Sequence, residues 1–277
     1  MKQKLIKIIW PIIYLVLIIN VCLSFILVFR SYYYCSIFVS GRSMEPTLHG
    51  DRTVNDGYVD YGIIDDHKNA INSLKRFQII TTYYPFESST DYVGGYKPGE
   101  TNVVDPNSSS YKIKRVYGFP GETIRFDLDD EYTDLAKSKM ADQYSEEAQF
   151  AARKAVVFYV NGVKQDLKFK RKIEINSIEK YRDKEFVLGE NEYWVMGDNY
   201  SASTDCFYEK KPIYYDNIVG VLIAIEGTCK IESKTHKEVD STEDGTKSYY
   251  ECKKRKWHMP VYYWYGKRHP LVSWSYE

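Results

Sequence analysis

A serine hydroxyl held on a short, stiff loop can attack a carbonyl carbon, and Gly41-Arg42-Ser43-Met44-Glu45-Pro46-Thr47-Leu48 offers such a loop. Glycine opens it, and Pro46, with its fixed φ, stiffens the turn that presents Ser43. The attack needs a base to take the hydroxyl proton. Histidine oriented by a carboxylate is one candidate. The five histidines are His49, His67, His236, His258 and His269, and none stands in a glycine-bounded strand end like that of Ser43. His49 is also too close in sequence to swing back easily. Lysine is the other candidate. Its free pKa of ~10.4 leaves roughly one amine in a thousand neutral near pH 7.4. Burial among apolar neighbours, with no carboxylate beside the amine, lowers that value by several units. The lysine must therefore lie on a strand and face inward.

Tyr111-Lys112-Ile113-Lys114-Arg115-Val116-Tyr117 fits that requirement. By period two, Lys112, Lys114 and Val116 share one strand face and Ile113, Arg115 and Tyr117 the other. Lys114 is the more central lysine, and the turn Gly118-Phe119-Pro120-Gly121 fixes its end of the strand. A solvated strand lysine is the competing reading of the same pattern.

Other short strands must position the two residues. Ser36-Ile37-Phe38-Val39 leads into the serine loop, and His49-Gly50-Asp51 closes it. Residues 77–84 read as a strand ended by Pro85. Residues 86–110, rich in Ser, Gly, Pro, Asn and Asp, read as a long loop. Ile124 and Phe126 begin the next strand. Residues 129–154 lack Gly and Pro and are rich in Ala, Glu, Lys and Asp, with Leu135, Met140 and Phe150 widely spaced. They predict an exposed helix inserted between strands. Strands resume at 156–160, with Asn161-Gly162 as a hairpin turn, and again at 192–196. Residues 218–225, the most apolar run after the N-terminus, predict a core strand.

Tyrosine is unusually abundant, 27 of 277 residues, which with Val, Ile and Thr favours strands. Lys plus Arg equals Asp plus Glu, 38 each, and no long basic tract suggests a nucleic-acid partner. The five cysteines form no CxxC pair. Cys229 and Cys252 flank a polar segment and could form a disulfide outside the cell; a zinc site joining them to His236 and His258 would have irregular spacing.

At the N-terminus Lys2, Lys4 and Lys7 precede an uncharged apolar run over residues 8–29. At ~1.5 Å per residue that run covers roughly 33 Å, enough for the hydrocarbon core of a bilayer. It is longer than the apolar region of a cleavable signal, and bulky Tyr32, Tyr33 and Tyr34 follow it, so an uncleaved anchor is expected. Three lysines before the span place residues 1–7 in the cytoplasm and the rest outside.

Three separated blocks, in order, resemble the bacterial type I signal peptidases, membrane-bound Ser/Lys proteases that remove signal peptides from exported proteins. They are residues 41–48, residues 114–122, and Gly197-Asp198-Asn199 with Ser203 and Asp205. The resemblance covers about residues 36–225 and the anchor. It implies a mainly β fold, a coiled antiparallel sheet like that of signal-peptidase and repressor-type proteases, behind one transmembrane helix. Residues 30–227 would form the extracytoplasmic catalytic domain, with the 129–154 insertion, and 228–277 a Lys- and aromatic-rich extension. It implies Ser43 as nucleophile, its backbone N–H in the oxyanion hole, Lys114 as general base, and Ser203 as the group that hydrogen-bonds and aims the lysine. Arg115, Asp198, Asp205, Gly197 and Asn199 would be structural support, with Asp198 and Asp205 pairing with Arg115. Met44 and Pro46 would touch the substrate. The implied partners are signal-peptide-bearing preproteins and the lipid bilayer of a bacterial cell membrane, in a Gram-positive-type arrangement, with small residues preferred at the first and third positions before the cut. No metal or cofactor is implied.

The departures are informative. Cys206 and Phe207 stand where many relatives have serine and arginine, Gly41 offers no hydroxyl to the oxyanion, Tyr117 replaces an aliphatic residue, and Phe77-Gln78 stands where Gly-Asp is frequent. Two other readings of the same residues are a Ser/Lys processing peptidase with a narrow substrate set and an anchored binding protein on a catalytically dead scaffold.

Overall fold

The computed structural model describes residues 2–83, 111–237 and 246–262. It opens on a long helix, α1 (Lys2–Tyr33). Within it Ile9–Arg30, 22 residues, is long and apolar enough to cross a membrane, and none of it is buried against the protein. There follow β1 (Cys35–Phe38), the Ser43 loop, β2 (Tyr58–Asp65), the short α2 (Lys68–Asn72) and β3 (Ile79–Tyr83). Next come β4 (Tyr111–Gly118), β5 (Thr123–Leu128), α3 (Asp130–Ser138), α4 (Glu146–Ala155), β6 (Val156–Val160) and β7 (Val163–Lys164). The rest is β8 (Lys184–Val187), β9 (Glu192–Met196), α5 (Cys206–Glu209), β10 (Ile213–Tyr214), β11 (Ile218–Lys237) and β12 (Thr246–Tyr262).

The fold is mainly β, built on a curled antiparallel sheet in the order β1-β2-β11-β3-β4-β9-β10, with β12 beside the far half of β11. A second sheet runs β7-β6-β5-β8. Curling needs bulges, because an extra residue on one strand bends it and increases its twist. β11 supplies them: its register against β2 shifts between Leu222 and Ala224 and again between Ile225 and Gly227. It also runs unbroken past residue 227, and a disulfide between Cys229 and Cys252, Cα atoms 5.7 Å apart, ties it to β12.

β4 lies in the middle of the large sheet, and from Lys114 to Gly118 both its faces are buried. One cluster, centred on Tyr117, Phe126, Phe158, Tyr181 and Trp194, fills the space between the two sheets. A second, of Val39, Met44, Leu48, Ile64, Ile79, Leu222 and Ile225, underlies the Ser43 loop. The β3 strand begins two residues later than its sequence pattern predicts, because Phe77 takes a left-handed φ of 67° that an extended strand cannot accommodate. Asn161 and Gly162, both at positive φ, make the predicted tight turn between β6 and β7. The predicted 86–110 loop and the residues after 262 lie outside the described residues.

The 129–154 insertion is not the single exposed helix that composition suggests. It is a pair, α3 and α4, each started by a side-chain cap: Asp129 accepts from the Tyr132 N–H and Ser145 from the Ala148 N–H. Its burial was hidden because alanines carry it. Ala136, Ala148, Ala151, Ala152 and Ala155 are all fully buried, whereas Met140 and Phe150 are exposed. Ala152→Leu should therefore overpack this contact and cost about 1–3 kcal/mol in thermal or denaturant unfolding of the detergent-solubilised chain. Met140→Ser should stay within about 0.5 kcal/mol of the parent.

Candidate active site

The Ser43 loop is built from the core outward. Gly41 N donates to Gly50 O at 2.9 Å and closes its mouth. The fit at the closure is tight enough that a Cβ on Gly50 would come within 2.2 Å of Gly41 O. Met44 and Leu48, 1% and 0% exposed, plug the loop into the core beneath it. The Met44 side chain thus faces the interior. Its spacing from Leu48 is that of a helical turn, and the Leu48 N–H bonds Met44 O at 2.9 Å. Pro46 is exposed at the rim.

The segment after β9 supports the loop from the other side. Asn199 N donates to Ser43 O at 2.9 Å, and Asn199 Nδ2 to Arg42 O at 3.1 Å, so one asparagine fixes the backbone on both sides of the Arg42–Ser43 bond. Gly197 has to be glycine for space: a Cβ there would lie 2.3 Å from Ser43 O and 2.4 Å from Ser203 Oγ.

Strand β4 brings Lys114 to this loop. Its amine donates to Ser43 Oγ at 2.8 Å and to its neighbour's carbonyl, Ile113 O, at 3.2 Å. The lysine is 2% exposed. Burial pulls its pKa from the ordinary 10.5 down to about 8, opposed by the charge of Asp205 and assisted by that of Lys112. Near pH 7.4 about one such amine in five is neutral, against roughly one in a thousand for a free lysine. Lys112, half-buried on the same strand face, has its own pKa lowered by burial.

The carboxylates near the lysine are occupied elsewhere. Arg115 reaches Asp198 through two parallel bonds, Nε to Oδ1 at 2.8 Å and a terminal nitrogen to Oδ2 at 2.6 Å, with both side chains buried. Its remaining terminal nitrogen donates to Phe77 O at 2.7 Å, and its plane lies over the Phe169 ring. The Thr47 hydroxyl bonds the same Asp198 carboxylate, tying the serine loop to it. Asp205 is not a partner of Arg115, contrary to expectation. It accepts backbone N–H groups of Gly197, Phe207 and Tyr208 and caps α5, so the helix start supplies its donors. Burial raises the Asp205 pKa above its ordinary value.

Ser203 Oγ is buried against Gly197 and beside the Asp205 carboxyl, whose charged form it favours, while the second acceptor of the Lys114 amine is Ile113 O. Cys206 is fully buried, its sulfur 3.3 Å from the Val195 N–H. Tyr117 is buried with its hydroxyl 2.9 Å from that of Tyr200. The contributions of Thr47 and Lys112 were missed in the sequence. Thr47 could have been found from its place in the nucleophile block. Among the described residues Asp65, Asp66 and His67 bring metal-ligand atoms within 4.8 Å of one another, but they belong to the end of β2 and the start of α2 and not to the serine loop. The zinc reading of Cys229 and Cys252 is overturned by their disulfide.

A family model described as signal peptidase, peptidase S26, matches residues 10–225. No curated protein matches the chain.

Two outcomes test this geometry. Gly197→Ala should push Ser43 and Ser203 apart and lower turnover by about 10²-fold or more, read as kcat on any cleaved peptide. The depressed Lys114 pKa has a stability signature with a definite sign. Between pH 8 and 10.5 the unfolded lysine holds a proton that the folded one has lost, so stability rises with pH across that window. Relative to Lys114→Met, the parent should gain on the order of 3 kcal/mol from pH 8 to 10.5, measured by unfolding at each pH.

Proposed function

Since the chain belongs to the signal peptidase family, peptidase S26, we propose that it is a membrane-anchored serine endopeptidase that cuts signal peptides from exported preproteins. The observation that carries the proposal is the 2.8 Å contact between Ser43 Oγ and a Lys114 amine whose pKa burial has brought near neutrality. The neutral amine takes the Ser43 proton as Oγ attacks the scissile carbonyl. The tetrahedral intermediate then collapses, Lys114 returns the proton to the leaving amine, and the acyl-enzyme remains. Neutral Lys114 next takes a proton from water, whose oxygen attacks the ester, and gives it back to Ser43. The oxyanion needs a donor already in place. The Ser43 N–H has no acceptor among the described residues, which suits that role, and Gly41 adds no hydroxyl.

The substrate binds as an extended strand. The first half of β4 supports this: among the described residues Tyr111–Lys114 pairs with β3 on one edge only, since β9 joins no earlier than Arg115. An edge beside the dyad that no described strand covers can take a further strand. Half-buried Ile37 and Ile113 flank the core beneath the loop, an apolar surface suited to small side chains at the first and third positions before the cut. Helix α1 is the single-pass anchor, with Lys2, Lys4 and Lys7 in the cytoplasm and the sheets outside the cell. No cofactor enters any step.

The test is cleavage of a panel of preproteins by detergent-solubilised chain. The parent should release mature protein, and Ser43→Ala and Lys114→Ala should each lose about 10³-fold or more in kcat. The acidic limb of kcat/KM should have its midpoint near pH 8, the activity rising with pH as Lys114 loses its proton. Full activity in Lys114→Ala, or silence of the parent on every preprotein, would overturn the proposal.

A further inference from the structure

The end of the membrane helix does not lead into the protease domain as a free tether. Arg30, in the last turn of α1, grips Glu226 of β11 with both terminal nitrogens, one of them 2.6 Å from Oε1. Glu226 is nearly buried, its side chain 8% exposed against 37% for Arg30. Arg30 is its only ion-pair partner among the described residues. The strand is shaped to make the contact. In the pairing of β11 with β2 the register passes from Ile225 to Gly227, and in its pairing with β12 it does the same, so Glu226 is the unpaired residue of a bulge. A bulge takes a side chain out of the regular alternation and re-aims it. A second contact holds the same helix end. The Tyr33 ring stacks on His67, centroids 4.9 Å apart, at the residue that starts α2. Tyr34 N bonds Arg30 O at 3.0 Å, continuing the helical bonding up to the point where β1 pairs with β2.

We propose that Glu226 is a positioning residue. Through Arg30, and with the Tyr33–His67 stack as a second point of attachment, it makes α1 and the catalytic sheet one rigid body. The dyad is thereby held at a fixed height and orientation over the bilayer. This rests on the signal-peptidase reading. A substrate whose signal peptide is embedded in the same bilayer presents its cleavage site at a set depth, so a rigid mount raises the effective concentration of the dyad there. A water-soluble peptide meets the dyad from any direction and gains nothing from the mount. Glu226 therefore discriminates between the two substrate classes without touching either.

The experiment uses the full chain reconstituted in lipid vesicles. Two substrates are compared: a preprotein inserted in the same vesicles, and a soluble peptide with the same cleavage site and no apolar segment. Glu226→Gln keeps the shape and removes the charge. It should lower kcat/KM on the inserted preprotein roughly tenfold and leave the soluble peptide within about twofold. The double exchange Arg30→Glu with Glu226→Arg should restore the inserted substrate. Equal loss on both substrates, no loss on the inserted one, or a double exchange as poor as Glu226→Gln would each overturn the proposal. Failure of the parent chain on both substrates would instead overturn the signal-peptidase reading.

Discussion

A buried amine must be kept away from carboxylates, and most of the polar structure around the dyad answers to that constraint. A lysine next to a free aspartate would hold its proton, because an opposite charge favours the charged form as strongly as burial disfavours it. Two aspartates are nonetheless buried close by, and each is engaged elsewhere. Arg115 and Thr47 take Asp198, and three backbone N–H groups take Asp205. The arginine pair is costly to desolvate, so its fork geometry and its stacking on Phe169 matter as much as its charge. The aspartates earn their burial as braces: one holds the serine loop, the other the start of α5.

The nucleophile loop and the base strand are joined through a third segment rather than to each other alone. Residues 197–199 touch Ser43 by backbone, Arg42 by side chain and Arg115 by carboxylate. A single short turn thus sets the separation of the reacting atoms. The hydrophobic anchors do the coarse work, with Met44 and Leu48 sunk in the core under the loop and Val116 and Tyr117 sunk under the strand. Hydrogen bonds then fix what packing leaves adjustable.

Much of this could be read from the residues. Period-two alternation marked β4, a continuous apolar run marked β11, Asn161-Gly162 marked a turn, and the requirement for an inward lysine pointed to β4, with the family resemblance singling out Lys114 on it. The helix pair at 130–155 was legible as helical but not as buried, because alanines bury without raising apolar periodicity. The partner of Arg115 was legible only as one of two aspartates, since the choice depends on which of them caps a helix. The burial of the Met44 side chain was not legible, since sequence proximity to Ser43 says nothing of direction. Ser203 was legible from the third block, but not that its hydroxyl would lie against Gly197 and the Asp205 carboxyl.

The helix pair has one more implication. Its two ends meet, Asp129 N bonding Ala155 O at 2.8 Å, directly where β5 and β6 are paired. Those strands stay in register over five successive residue pairs whatever is looped out beyond them. Loop closure costs little more for a long excursion than for a short one. The neck between residues 129 and 155 therefore lets the excursion be long at little entropic cost to the pairing of β5 with β6.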